Sequence, residues 1–137
     1  MGHASACAAG LAVLEVIDRE NLLENVKLQG AYLQQALEDA FKDHPHIGDI
    51  RGRGLFRGLE IVADKVTKSP FPDEDNITKR LKQAAQKQGL ICYPGGGSYQ
   101  DNLGSHILLA PPYIVQPEHI EQAVDKLRLI FTEVLNV

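Results

Sequence analysis

Arginine and glycine crowd into one stretch, Gly48 to Asp64, which reads GDIRGRGLFRGLEIVAD. The arginines are Arg51, Arg53 and Arg57, and the glycines, which lack a Cβ, supply bulges, bends or close backbone approach. The spacing Gly52-x-Gly54-x-x-x-Gly58 has an outward likeness to a nucleotide-binding glycine run. That chemistry needs a strand, a glycine turn and then a helix. Here the glycines lead into Leu59, Glu60, Ile61 and Val62, which favour a strand. A kinked strand or hairpin at the centre of a small sheet is expected instead, with two later apolar runs pairing to it.

A second glycine group, Gly95 to Gly97, lies in Pro94 to Ser105, PGGGSYQDNLGS. The stretch has no periodicity and is long for a loop in a compact domain, the kind that is often functional. His44 and His46 flank Pro45 at a helix end, whereas a metal centre needs three or four convergent ligands; turn and core roles are expected for them. Cys92 is expected to be inert inside an apolar strand. Lys27, Lys42, Lys65, Lys68, Lys79, Lys82, Lys87 and Lys126 are expected on helix faces or in a polar loop. None has the apolar surroundings that lower a lysine pKa for Schiff-base chemistry. On residues alone the chain lacks a self-sufficient catalytic set.

The elements that must position these groups follow from periodicity. Ala4 to Ile17 is helix-like and almost wholly apolar. A helix apolar all round must be covered all round, so a larger domain or a partner chain is expected against it; the alternative is a central core helix. Leu22, Val26, Gly30, Leu33, Leu37 and Phe41 form the stripe of a second helix, stopped before Pro45. Asp75 is expected to cap a third helix, Asn76 to Gln88, with Gly89 at its C-terminal end. Leu90 to Tyr93 and His106 to Ala110 are predicted strands. Pro117 opens a last helix with Ile120, Val124, Leu127, Phe131 and Val134 inward. The order predicts one α+β domain over 1–137, a small, mainly antiparallel sheet with helices packed on it.

The chain is 44% hydrophobic and 23% charged with net charge -4, the composition of an ordinary globular domain. Its acidic and basic residues are interspersed, which argues against nucleic acid. No apolar run approaches the roughly 20 residues of a membrane span. Two cysteines in apolar segments and no signal peptide in view lead to an expectation of reduced thiols in the cytoplasm.

Three segments in this order, GHASACAAGLAVLEVIDREN, GDIRGRGLFRGLEIV and LLAPPYIVQPEHIEQAVDKL, resemble the C-terminal part of class III aminotransferases. The resemblance covers essentially the whole chain; Ala4 stands where the family usually has proline. It implies the small domain of the aspartate-aminotransferase-like fold, in a pyridoxal-phosphate (PLP) enzyme that works as a homodimer. It also implies that the Schiff-base lysine, the ring-stacking residues and the aspartate facing the pyridine nitrogen belong to a large domain ahead of Met1. No cofactor is then expected on residues 1–137 alone. Gly95, Gly96, Gly97 and Asp101 would face the substrate. Many relatives carry a carboxylate-binding arginine in or near this loop; this chain has none between Arg80 and Arg128, and has Leu108 two residues before Ala110-Pro111-Pro112. The implied reaction moves an amino group from an amine or ω-amino acid to a keto acid. An adenosylmethionine-8-amino-7-oxononanoate aminotransferase of biotin synthesis is the neighbouring reading, and a non-catalytic association module is the reading of another class.

Overall fold

The computed structural model describes residues 3–97 and 103–136. Helices α1 (Ala4–Arg19) and α2 (Leu22–Phe41) come first. Strands β1 (Ile47–Arg53) and β2 (Phe56–Ile61) form a hairpin, followed by α3 (Ile77–Lys87), β3 (Tyr93–Gly96), β4 (Ser105–Leu109) and α4 (Pro117–Leu135). The sheet order is β1-β2-β4-β3 and every pairing is antiparallel, so the α+β architecture is as expected.

Strand alternation divides the sheet. Ile47, Leu59, Ile61, Ile107 and Leu109 point to one face and join Leu33, Leu37, Phe41, Leu81, Ile120, Leu127 and Phe131 in a single buried core. Helices α2, α3 and α4 supply that core. Among the described residues no helix packs on the opposite face, which carries Asp49, Arg51, Glu60, His106 and Leu108.

The hairpin turns through Gly54 and Leu55, with Arg53 paired to Phe56. Gly54 has φ +57, as a two-residue hairpin with glycine first requires. Arg57, only 9% exposed, reaches inward from β2. Its Nη1 donates to the Gly52 carbonyl at 2.7 Å and its Nη2 to the Gly30 carbonyl of α2 at 2.9 Å. The side chain thus fastens the hairpin to α2, and burial pushes its pKa down.

Several expectations are corrected. The hairpin is not central: β1 is an edge, and of the two later strands β4 pairs with β2 while β3 pairs with β4. Leu90 to Cys92 are not strand; Ile91 is fully exposed. The third strand is instead Tyr93–Gly96, drawn into the sheet by Ser105 to Leu108 of β4. Cys92 therefore lies just outside a strand, half-buried, its thiol pKa raised by burial. Asn76 rather than Asp75 holds the N-cap position of α3. Helix α1 forms as expected but has no buried residue, with Leu11 and Leu14 each 62% exposed; the core-helix alternative is excluded.

His44 and His46 close the C-terminal end of α2. His44 accepts the His46 N–H on its Nδ1 at 3.1 Å and packs its ring 5.7 Å from that of Phe131. Lys65 donates to the Lys42 and His44 carbonyls, and Arg128 sits over Phe41. Burial, then the neighbouring His46 and Lys65, push the His44 pKa below the ordinary histidine value. The unfolded chain binds this proton more readily. The stabilisation is thus complete above the ordinary value of about 6.5 and is lost as pH falls below it. Acidification from about pH 7.5 to about pH 5.5 is expected to lower the melting temperature, and His44→Gln to shrink that drop. Equal pH slopes in the two proteins would refute the assignment.

Candidate functional site

The face free of helices is built by cross-strand rows. One row runs Arg51, Gly58, Leu108 and Tyr93; the next runs Asp49, Glu60, His106 and Gly95. A β-bulge at Gly48 sets this register, slipping β1 so that Asp49 and Arg51 point away from the core. Arg51 Nη1 donates to Asp49 Oδ2 at 2.5 Å and lies 3.6 Å from Glu60 Oε2. These partners, Asp49 first, hold the guanidinium firmly charged. Gly58 has no side chain, which leaves a hollow of about 190 Å³ bordered by Arg51, Glu60, His106 and Leu108.

Gly95 belongs to this face. A Cβ there would overlap His106 Nε2 and lie 2.8 Å from its Cε1, so glycine makes room for the ring. Gly96 turns the other way: a Cβ there would lie 3.5 Å from Thr78 Oγ1 of α3. Gly97, at φ +77, donates its N–H to the Gly104 carbonyl at 3.2 Å and narrows the β3–β4 connection. Asp101 lies outside the described residues. The expected substrate-facing glycines are thus split, with Gly95 on the open sheet face, Gly96 toward α3 and Gly97 in the turn. Sequence reading did not single out Arg51, Glu60 and His106 as neighbours, although the i, i+2 spacing of Asp49 and Arg51 put those two on one face.

Two larger cavities lie elsewhere among the described residues. An apolar groove of about 730 Å³ runs between α2 and α4, lined by Leu33, Leu90, Leu109, Pro112, Ile114 and Ile120 among others. A cavity of about 320 Å³ opens beside Thr78, Gly96 and Leu103. Lys79 and Lys82 border the latter and are exposed. Lys27 and Lys87 are ion-paired at the surface, Lys65 and Lys126 donate to backbone carbonyls, and Lys42 and Lys68 are exposed. No lysine amine lies on the open sheet face or in an apolar cavity. The described residues therefore do not by themselves fit PLP, whose aldehyde needs such an amine.

The chain is 43% identical over 95% of its length to an uncharacterized aminotransferase of Schizosaccharomyces pombe, and 36% identical over 97% to the taurine–pyruvate aminotransferase of Bilophila wadsworthia. It spans 28% of each of those relatives. Its fold matches a thermostable (S)-enantioselective omega-transaminase from Thermomicrobium roseum with a TM-score of 0.87 at 31% identity, covering 98% of this chain and 28% of that one. The class-III aminotransferase family model matches residues 1–131, and the chain belongs to that family.

Proposed function

We propose that this chain is the C-terminal small domain of a PLP-dependent class III transaminase, which moves an amino group from an amine or ω-amino acid to a keto acid. The observation that carries the reading is the match itself: nearly the whole chain aligns with little more than a quarter of each relative. The exposed apolar helix α1 supports it, because a large domain of the same polypeptide would cover Leu11, Val13 and Leu14. PLP, when bound, supplies the electron sink for amino transfer, and the large domain would provide its lysine. The intact enzyme would be a cytoplasmic homodimer.

In this reading the open sheet face forms one wall of the substrate site. Gly95 keeps that wall low under the His106 ring. Gly97 lies in the β3–β4 connection beside that wall, and Asp101, which follows it in sequence, would disfavour a donor with a distal carboxylate if it faces the substrate. A second reading, a non-catalytic association module, draws on the same bare α1 together with the apolar groove.

Two measurements test the proposal. The 137-residue chain alone, given PLP, is expected to turn over no amine with pyruvate and to develop no lasting absorbance at about 410–430 nm. The full-length enzyme is expected to do both. Turnover by the chain alone would refute the small-domain assignment. A folded, PLP-loaded full-length protein with no amino transfer would leave the association module standing.

A further inference from the structure

The guanidinium on the open face is held by one corner. Asp49 and Glu60 both approach Nη1 of Arg51. Its Nε and Nη2, the side-on edge of the fork, meet no partner among the described residues. The side chain is 62% exposed and leans over the hollow that Gly58 leaves beside Leu108. A carboxylate matches such an edge through two parallel N–H···O bonds. Two carboxylates beside one guanidinium leave the patch net negative, which repels a dianionic phosphate far more than a monoanion. Leu108 offers an apolar wall for the short carbon chain of such a monoanion.

We infer that Arg51 is the specificity-determining residue that receives the carboxylate of the keto-acid acceptor, side-on through Nε and Nη2. The inference rests on the transaminase reading above, in which every acceptor of this class brings a carboxylate. Asp49 is then a positioning residue: it pins Nη1 of a side chain that borders the hollow. Its own negative charge weakens the site, so removing that charge strengthens acceptor binding as long as Glu60 still steadies the fork.

The test uses the full-length enzyme with two acceptors, pyruvate and an aldehyde that has no carboxylate. Arg51→Leu is expected to raise the KM for pyruvate about 10- to 100-fold and to leave kcat and KM for the aldehyde within about twofold. Arg51→Lys recovers part of the loss, since an ammonium keeps the charge without the fork. Asp49→Asn lowers the pyruvate KM. The exposed edge position lets these variants keep the wild-type melting temperature. An unchanged pyruvate KM in Arg51→Leu, or equal losses with both acceptors, overturns the inference and leaves the transaminase reading intact. A wild-type enzyme that uses neither acceptor overturns the transaminase reading and this inference with it.

Discussion

Gly30→Ala is expected to destabilise the chain by about 2–4 kcal/mol, although alanine ordinarily gains about 1 kcal/mol over glycine inside a helix. Gly30 sits in the middle of α2 where the hairpin turn crosses it. A Cβ there would lie 2.6 Å from both the carbonyl carbon and oxygen of Gly54, and 2.8 Å from its Cα. These are backbone atoms, with no rotamer to retreat into. The hairpin must lift, which stretches the Arg57 Nη2 bond to the Gly30 carbonyl and opens the packing over Leu55, now 4% exposed. Gly10 in α1 provides the control, because a Cβ there meets nothing within 4 Å. Gly10→Ala is expected to be neutral or to raise helicity. Urea unfolding of both variants gives the answer, and a Gly30→Ala protein as stable as wild type would mean that the turn does not seat on α2.

What was legible in the sequence was what local signals determine. Helix α2 runs Leu22–Phe41 as its stripe and Pro45 predicted, and Pro117 opens α4. Gly89 follows α3 at φ +63, as a helix-ending glycine does. What failed depended on distant partners. Leu90, Ile91 and Cys92 look like a strand, yet the register is set by β4, which recruits Pro94 to Gly96 instead. A proline is tolerated there because β3 is an edge, and Gly95 is needed because the His106 ring lies over it. Arg57 looks like a surface residue in sequence. Its burial depends on a carbonyl 27 positions away in α2, which no local pattern encodes. The candidate site was half visible for the same reason. Alternation along β1 places Asp49 and Arg51 together, but only the packing of three helices on the other side leaves their face open.

Gly52→Ala should have the largest effect of any single substitution in the hairpin. Gly52 has φ +149, a conformation that side-chain-bearing residues rarely adopt. A Cβ there would overlap the Phe56 carbonyl oxygen, and would lie 2.9 Å from Arg57 Cα and 3.0 Å from Phe56 C. All three atoms belong to the backbone of β2, the strand that pairs Gly52 with Arg57. Relief requires the two strands to part near the turn. Overpacking of about 1–3 kcal/mol and backbone strain of about 1–3 kcal/mol combine to about 2–6 kcal/mol, against a total stability of about 5–15 kcal/mol for a typical domain. The melting temperature should fall by about 10–20 °C. The Arg57 Nη1 bond to the Gly52 carbonyl, 2.7 Å long, is lost in the same movement, so the hairpin loosens from α2 as well as within itself. Gly54→Ala makes the comparison decisive. Its added Cβ would meet a movable atom, Val26 Cγ1, at 3.1 Å, so its cost should be smaller, about 1–2 kcal/mol, mostly from its positive φ. Equal losses at the two positions would show that turn conformation rather than the clash with β2 governs the hairpin. Because Arg51 immediately precedes Gly52, any Gly52→Ala protein that still folds should also misplace the guanidinium over its hollow. In the full-length enzyme that defect is expected to appear as a raised KM for pyruvate before any loss with a carboxylate-free acceptor.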